Sequence, residues 1–342
     1  MKSLVCAFIF ALSGAEALAQ ENVIFITIDG ARYQEFFKGV RRPKSAGQKR
    51  GTRMLPWLDA KAEKNEAFIY GRHRLKNPML VSNPVNLSKP AYMSLMSGVY
   101  EDKCRSNDCE NTTRHTIFDS LAEQGFAKKD IAVFASWPGI EEAAESVVGR
   151  ATRNIGINRY SEPGADPVEQ AWIDDYNARA FAEEAPWGEA RRDVFTFEVA
   201  NHYLKRHAPR FLYISFLDTD EWGHKNNYKN YVQSFQDVNH YLEQLEATLA
   251  SMGDYGKRTS IVITTDHGRN PGPLWYNHSA MLPTAHRVWA AVIPSETWRA
   301  QGVKARKKGK FRHVDIRPTL EGLMQVKSVS PVASHGKSLV TH

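Results

Sequence analysis

The sequence predicts an α/β fold: a mostly parallel central sheet with helices on both faces and a functional site at the carboxyl ends of the strands. Three observations predict it. Short apolar runs rich in β-branched and aromatic residues recur without polar alternation, as in strands buried on both faces. Helical patterns lie between these runs, the succession that builds a parallel sheet. Acidic residues follow several runs at once, on the rim where open α/β sheets bind ligands.

In chain order, the first run is VIFITI at 23–28, ending in Asp29-Gly30. Residues 83–98, NPVNLSKPAYMSLMSG, pass from turn formers to apolar helix formers, so Ser88 falls at a helix start with Pro90 in the first turn. On these residues alone Ser88 reads as an N-cap. Its hydroxyl also lies beside unpaired backbone N–H groups and the positive end of a helix, where a phosphate binds and an alkoxide is stabilised. Further strands are expected at 131–135 (IAVFA), 211–217 (FLYISFL), 261–265 (IVITT) and 288–293 (VWAAVI), and helices at 115–124, 193–206 and 230–251. The stretch 136–191, rich in Glu, Ala, Arg, Trp and Pro, has no strong strand signal; it fits a helical cap insertion over a site, carrying Trp137, Trp172 and Trp187.

Composition narrows the function classes. Residues 1–19 read as a signal peptide: Lys2, the apolar stretch LVCAFIFAL, and Ala17-Leu18-Ala19 as the cleavage site. A single domain over 20–342 is expected, exported to the periplasm or secreted, with no segment long enough to span a membrane. Cys104 and Cys109 read as a local clamp on a loop in that compartment, with two free thiols or a metal pair as the other readings. The net charge of +7 is concentrated in Arg41-Arg42-Pro43-Lys44 and in KARKKGKFR at 304–312. Such runs attract anionic substrates or surfaces but carry no specific nucleic-acid signature.

Acids and histidines follow the strands. FLYISFL leads into Asp218-Thr219-Asp220-Glu221-Trp222-Gly223-His224, and IVITT into Asp266-His267-Gly268. Clustered carboxylates repel unless something positive lies among them, and bound cations supply it. Asp220 and His224 stand one helical turn apart and can face one ion. Mixed Asp and His donors suit zinc or manganese better than calcium, which prefers oxygen alone.

The series IFITIDGAR, SKPAYMSLMSG, DTDEWGH, TTDHGR, WYNHS and DIRPTLEGLM, in that order, resembles the alkaline phosphatase superfamily, nearest in pattern to its nucleotide pyrophosphatase/phosphodiesterase and phosphatase branches. The resemblance implies an alkaline phosphatase-like fold and two metals, commonly zinc, flanking a Ser or Thr nucleophile. Carried over residue by residue, Asp29, Ser88, Asp266 and His267 hold one metal, and Asp220, His224 and His278 the other. His278 is preferred to His286 because a small-residue turn follows it. Asp218 and Glu221 are expected to cap or to orient imidazoles.

The departures from the family pattern are informative. Sulfatases of the superfamily carry Cys- or Ser-x-Pro-x-Arg, whose first residue becomes formylglycine, and here Tyr92 stands at the arginine position. Phosphodiesterase relatives use a downstream asparagine to hold a phosphoryl oxygen. Asn107 is the comparable residue, which a Cys104–Cys109 clamp would fix. Lys89 is expected to face solvent, and Arg32 is the arginine nearest the first metal motif. The implied function is metal-dependent hydrolysis of a small phosphate ester, monoester or diester, through phospho-Ser88. The alternatives are phosphoryl or phosphoglycerol transfer on the same site, or a non-catalytic secreted protein that holds anionic polymer.

Overall fold

A computed structural model describes residues 21–40, 53–72, 78–109, 114–182, 185–278 and 284–341. The expected signal peptide and the basic run at 41–44 lie outside these residues. Seven strands form the central sheet: β1 (Asn22–Ile28), β2 (Phe68–Tyr70), β3 (Ile131–Ala135), β4 (Thr152–Ile155), β5 (Phe211–Phe216), β6 (Thr259–Thr264) and β7 (Ala290–Ile293). Their spatial order is β2-β7-β6-β1-β5-β3-β4. β1 pairs in parallel with β5 and β6, and the parallel set continues through β3 to β4. Within this sheet β7 runs the other way, antiparallel to both β6 and β2.

Each central strand is buried throughout and mostly apolar because both of its faces are covered. Ile24, Ile26 and Ile28 of β1 enter one core with Phe197 and Leu204 of α5 (Asp193–His207) and Tyr231 and Leu242 of α7 (Tyr228–Ser251). Val23 and Phe25 enter the other, with Tyr92 and Leu95 of α1 (Ser88–Ser97), Phe118 of α2 (Ile117–Glu123) and Leu320 of α8 (Ile316–Met324). A buried side chain of this size contributes roughly 1.5–3 kcal/mol. A one-residue slip would exchange the two faces of β1, so the register is firmly set. That register matters at the rim: Ile28 stands beside Phe216, and Thr27 beside Thr264. The segments that follow the three central strands therefore leave the sheet together. No helix among the described residues is long and apolar enough to cross a membrane.

The stretch 136–191 does not stand apart as a cap. It contributes β4 to the edge of the sheet, together with α3 (Ile140–Ala144) and α4 (Pro167–Ala180), whose first turn is capped by Asp166. Three of the four residues of Thr152-Arg153-Asn154-Ile155 are polar because an edge strand has a solvent side, and for that reason it carries little strand signal. Trp172 stacks on His202 and Trp137 packs near Tyr92, both as structural contacts. Trp187 meets Trp222 edge-on at 5.2 Å, on α6 (Asp218–His224).

Candidate metal centre

Asp29 follows β1, Asp220 lies in the first turn after β5, and Asp266-His267 follows β6. All four are at least 95% buried, although three carry acid groups. Asp29, Asp266 and His267 offer ligand atoms within 4.8 Å of one another. Asp29 accepts a hydrogen bond from the Tyr92 hydroxyl on Oδ2 (3.0 Å), while its buried Oδ1 has no partner. Asp266 accepts from the Gly30 N–H on Oδ1 (3.0 Å), while its buried Oδ2 has none. The two bare oxygens face His267 Nε2, at 3.6 Å from Asp29 and 3.2 Å from Asp266. His267 donates from Nδ1 to the Gly268 carbonyl at 3.1 Å, which leaves the lone pair on Nε2.

Ser88 completes this group. The helix N-cap is Leu87, and Ser88 is the first helical residue. Its hydroxyl is not used for capping: Oγ lies 3.2 Å from His267 Nε2. The N-cap reading of Ser88 is thereby replaced, because the chain enters the helix one residue earlier than that reading requires. Unpartnered oxygens on two buried carboxylates, beside a bare imidazole nitrogen and a hydroxyl, are the donor set a divalent cation takes.

A second group adjoins the first. Asp220 Oδ2 lies 2.9 Å from His224 Nε2, and His224 Nε2 lies 3.2 Å from His278 Nε2. His278 donates from Nδ1 to the Asn86 carbonyl at 2.6 Å, so its Nε2 is free to ligate. The His267 and His278 rings stack at 3.9 Å between centroids, which makes them a shared wall between the groups. His286 stands elsewhere, its carbonyl accepting from the Val81 N–H. Asp218 accepts from the Arg192 side chain and from the Asp193 N–H at the start of α5, a structural role.

The surroundings hold surprises. Lys89 does not face solvent: it is 2% exposed and its ammonium binds Glu142 of α3 and the Cys109 carbonyl. Cys104 and Cys109 form a disulfide, and within their loop Asn107 Oδ1 accepts from the Lys89 N–H at 3.1 Å. Arg32 pairs with Glu35 at 3.0 Å and so is neutralised away from the acids. The arginine among the acids is Arg269, fully buried and paired with Asp220. Sequence reasoning passed over it, although its place directly after Asp266-His267-Gly268 was a signal.

Electrostatics separates the groups. Burial, with the charges of Asp266 and Asp220, pushes the Asp29 carboxyl well above its usual range. Burial, then Asp220, raises Asp266 to about 6. Burial holds His267 down at about 4 and His278 at about 3, so both stay neutral at pH 7. For Asp220 burial is again the largest influence, but Arg269 and His224 together overcome it and hold the carboxyl well below the usual range. Asp220 in turn raises His224. Without a cation the first group is relieved by protons and the second by fixed positive charge.

The Metalloenzyme superfamily model matches residues 193–327, the stretch holding Asp220, His224, Asp266, His267 and His278. Among solved structures the chain is similar to the phosphonate monoester hydrolase of Agrobacterium radiobacter, with 14% identity, a TM-score of 0.61, and 94% of this chain and 76% of that one covered. It is also similar to a 2-O GAG sulfatase, with 14% identity, a TM-score of 0.58 and 94% and 73% covered. A third is a protein in the alkaline phosphatase superfamily from Vibrio parahaemolyticus, with 14% identity, a TM-score of 0.56 and 94% and 69% covered. No curated protein sequence matches the chain. The resemblance read from the sequence therefore holds: the chain has the alkaline phosphatase-like fold and, over residues 193–327, matches the Metalloenzyme superfamily.

Proposed function

We propose that the chain is an exported two-metal hydrolase of phosphate esters that works through a phosphoseryl intermediate on Ser88. The observation that carries the reading is the meeting of Ser88 Oγ and two unpartnered carboxylate oxygens at one imidazole nitrogen. Asp29, Ser88, Asp266 and His267 would hold one ion, and Asp220, His224 and His278 the other. The donor set suits zinc, with manganese as the second choice. When bound, such ions supply Lewis-acid activation of the serine hydroxyl and of water, and neutralise the charge of the transferring phosphoryl group.

The rest falls to the chain itself. Ser88 Oγ attacks phosphorus from the first turn of a ten-residue helix, whose positive end favours phosphoryl oxygens. The bond from phosphorus to the ester oxygen breaks, and the alcohol leaves with the proton the serine gives up. Water then cleaves the phosphoseryl bond, restoring Ser88 and releasing the phosphate product. Asn107, its Oδ1 engaged by the Lys89 N–H, keeps its amide NH2 to donate to a phosphoryl oxygen. Tyr92 holds Asp29 from behind, so the position at which sulfatases carry arginine serves here to orient a carboxylate.

The test is a panel of aryl phosphate monoester, aryl phosphate diester and aryl sulfate, assayed with zinc or manganese and with chelator. Metal-dependent turnover of a phosphate ester is expected, lost in Ser88→Ala while zinc is largely retained. Sulfate turnover exceeding both phosphate arms, or undiminished activity in Ser88→Ala, would sink the reading.

A further inference from the structure

Each carboxylate of the first group gives one oxygen to a protein donor and presents the other: Tyr92 holds Asp29, and the Gly30 N–H holds Asp266. Asp220 follows the same rule with a different partner. Its Oδ1 is taken by Arg269 Nη2, and its Oδ2 faces His224. Arg269 is pinned further by Nη2 to the Asp220 carbonyl (2.7 Å) and by Nη1 to the Tyr276 carbonyl (2.6 Å). The guanidinium therefore ties together the segments that carry Asp220, His267 and His278.

The fold makes room for this group. Gly30, at φ +61°, directly follows Asp29, and a Cβ there would lie 2.9 Å from Arg269 Nε and closer still to Asp220 Oδ1. A Cβ on Gly223, one residue before His224, would lie 2.5 Å from the guanidinium carbon. Two glycines beside candidate ligands thus admit one fully buried arginine. Its planar fork can bind a carboxylate oxygen and two carbonyls together, which the single ammonium of a lysine matches poorly.

We infer that Arg269 is a positioning residue for the second cation: by holding Oδ1 of Asp220 it leaves Oδ2, beside His224, as the oxygen offered to that ion. The inference rests on the two-metal reading above. The guanidinium also repels a neighbouring cation, so its orienting effect must exceed that repulsion. The sign of the effect on removing it decides between them.

The experiment is equilibrium titration of the whole protein with zinc chloride against a chromogenic chelator, with metal analysis after dialysis. Arg269→Met and Arg269→Lys are expected to weaken the second zinc about 10–100-fold and to leave the first unchanged. Gly223→Ala, which displaces the guanidinium but keeps its charge and suits a helix, is expected to act in the same direction. It keeps the test open should the arginine variants fail to fold. The inference is overturned by a second-site affinity that is unchanged or tighter in Gly223→Ala and Arg269→Met, or by equal losses at both sites. Wild-type protein that takes up no zinc overturns the two-metal reading itself and this inference with it, whereas two zincs in wild type with unaltered variants overturn the inference alone.

Discussion

The two candidate cation groups lie side by side and share a stacked pair of imidazoles, yet they balance charge in opposite ways. The group of Asp29, Asp266, His267 and Ser88 is sealed, and neutral donors orient its carboxylates: a phenol and a backbone amide. The group of Asp220, His224 and His278 has an arginine as its orienter, and the His224 side chain is 47% exposed. The first therefore presents two uncompensated carboxylates to an ion, and the second a carboxylate already paired. Fixed positive charge lowers the electrostatic gain from a second cation, and exposure eases its exchange. In the proposed enzyme the first ion is tightly held and the second is the exchangeable one.

The comparison can be broken most decisively at Asp266. Asp266→Asn is expected to lose the first zinc and reduce kcat by about four orders of magnitude, as loss of one member of a catalytic unit does; metal analysis and steady-state kinetics check both. If that variant keeps two zincs, the sealed group is not the tighter site. Next in size, Asn107→Ala is expected to lower kcat about 10²–10³-fold with zinc content unchanged. A fall in zinc content instead would move Asn107 from catalysis to scaffolding. His224→Ala should weaken the second zinc by more than about 10-fold and spare the first, measured by chelator titration.

The smallest effect is a pH dependence. Asp220 raises His224, so the bond between them stabilises the metal-free fold fully below the usual histidine range and ceases to do so as pH rises through the raised value. Zinc needs the neutral imidazole, so second-site uptake has the opposite sign: it should strengthen with pH by up to about tenfold per unit while His224 gives up its proton. Titrations at several pH values would show this slope for the second zinc. A slope of the same size in His224→Ala would remove His224 as its origin.

The strands were legible in the sequence because burial on both faces leaves a nearly continuous apolar run, as in VIFITI and FLYISFL, and the acids behind them marked the rim. The gathering of Asp29, Asp220, Asp266, His267 and His278 followed from which strands are neighbours, and the sequence order alone does not state that. The direction of β7 was hidden because an antiparallel strand inside a buried sheet has the same composition as a parallel one. β4 was missed because an edge strand needs little apolar surface. Lys89 and Arg269 were missed for a common reason: a long cationic side chain reads as surface unless its partner is known. Their partners, Glu142 and Asp220, stand 53 and 49 residues away along the chain.

The disulfide between Cys104 and Cys109 has a practical consequence. It closes the short loop that seats Asn107 against the helix beginning at Ser88, and the Lys89 ammonium braces the same loop at the Cys109 carbonyl. Protein made in a reducing cytosol lacks this closure. Such a preparation is expected to fold and load zinc normally yet hydrolyse slowly, and to regain its rate on mild oxidation. Its thiol titre therefore belongs beside its zinc content whenever specific activities from different expression hosts are compared.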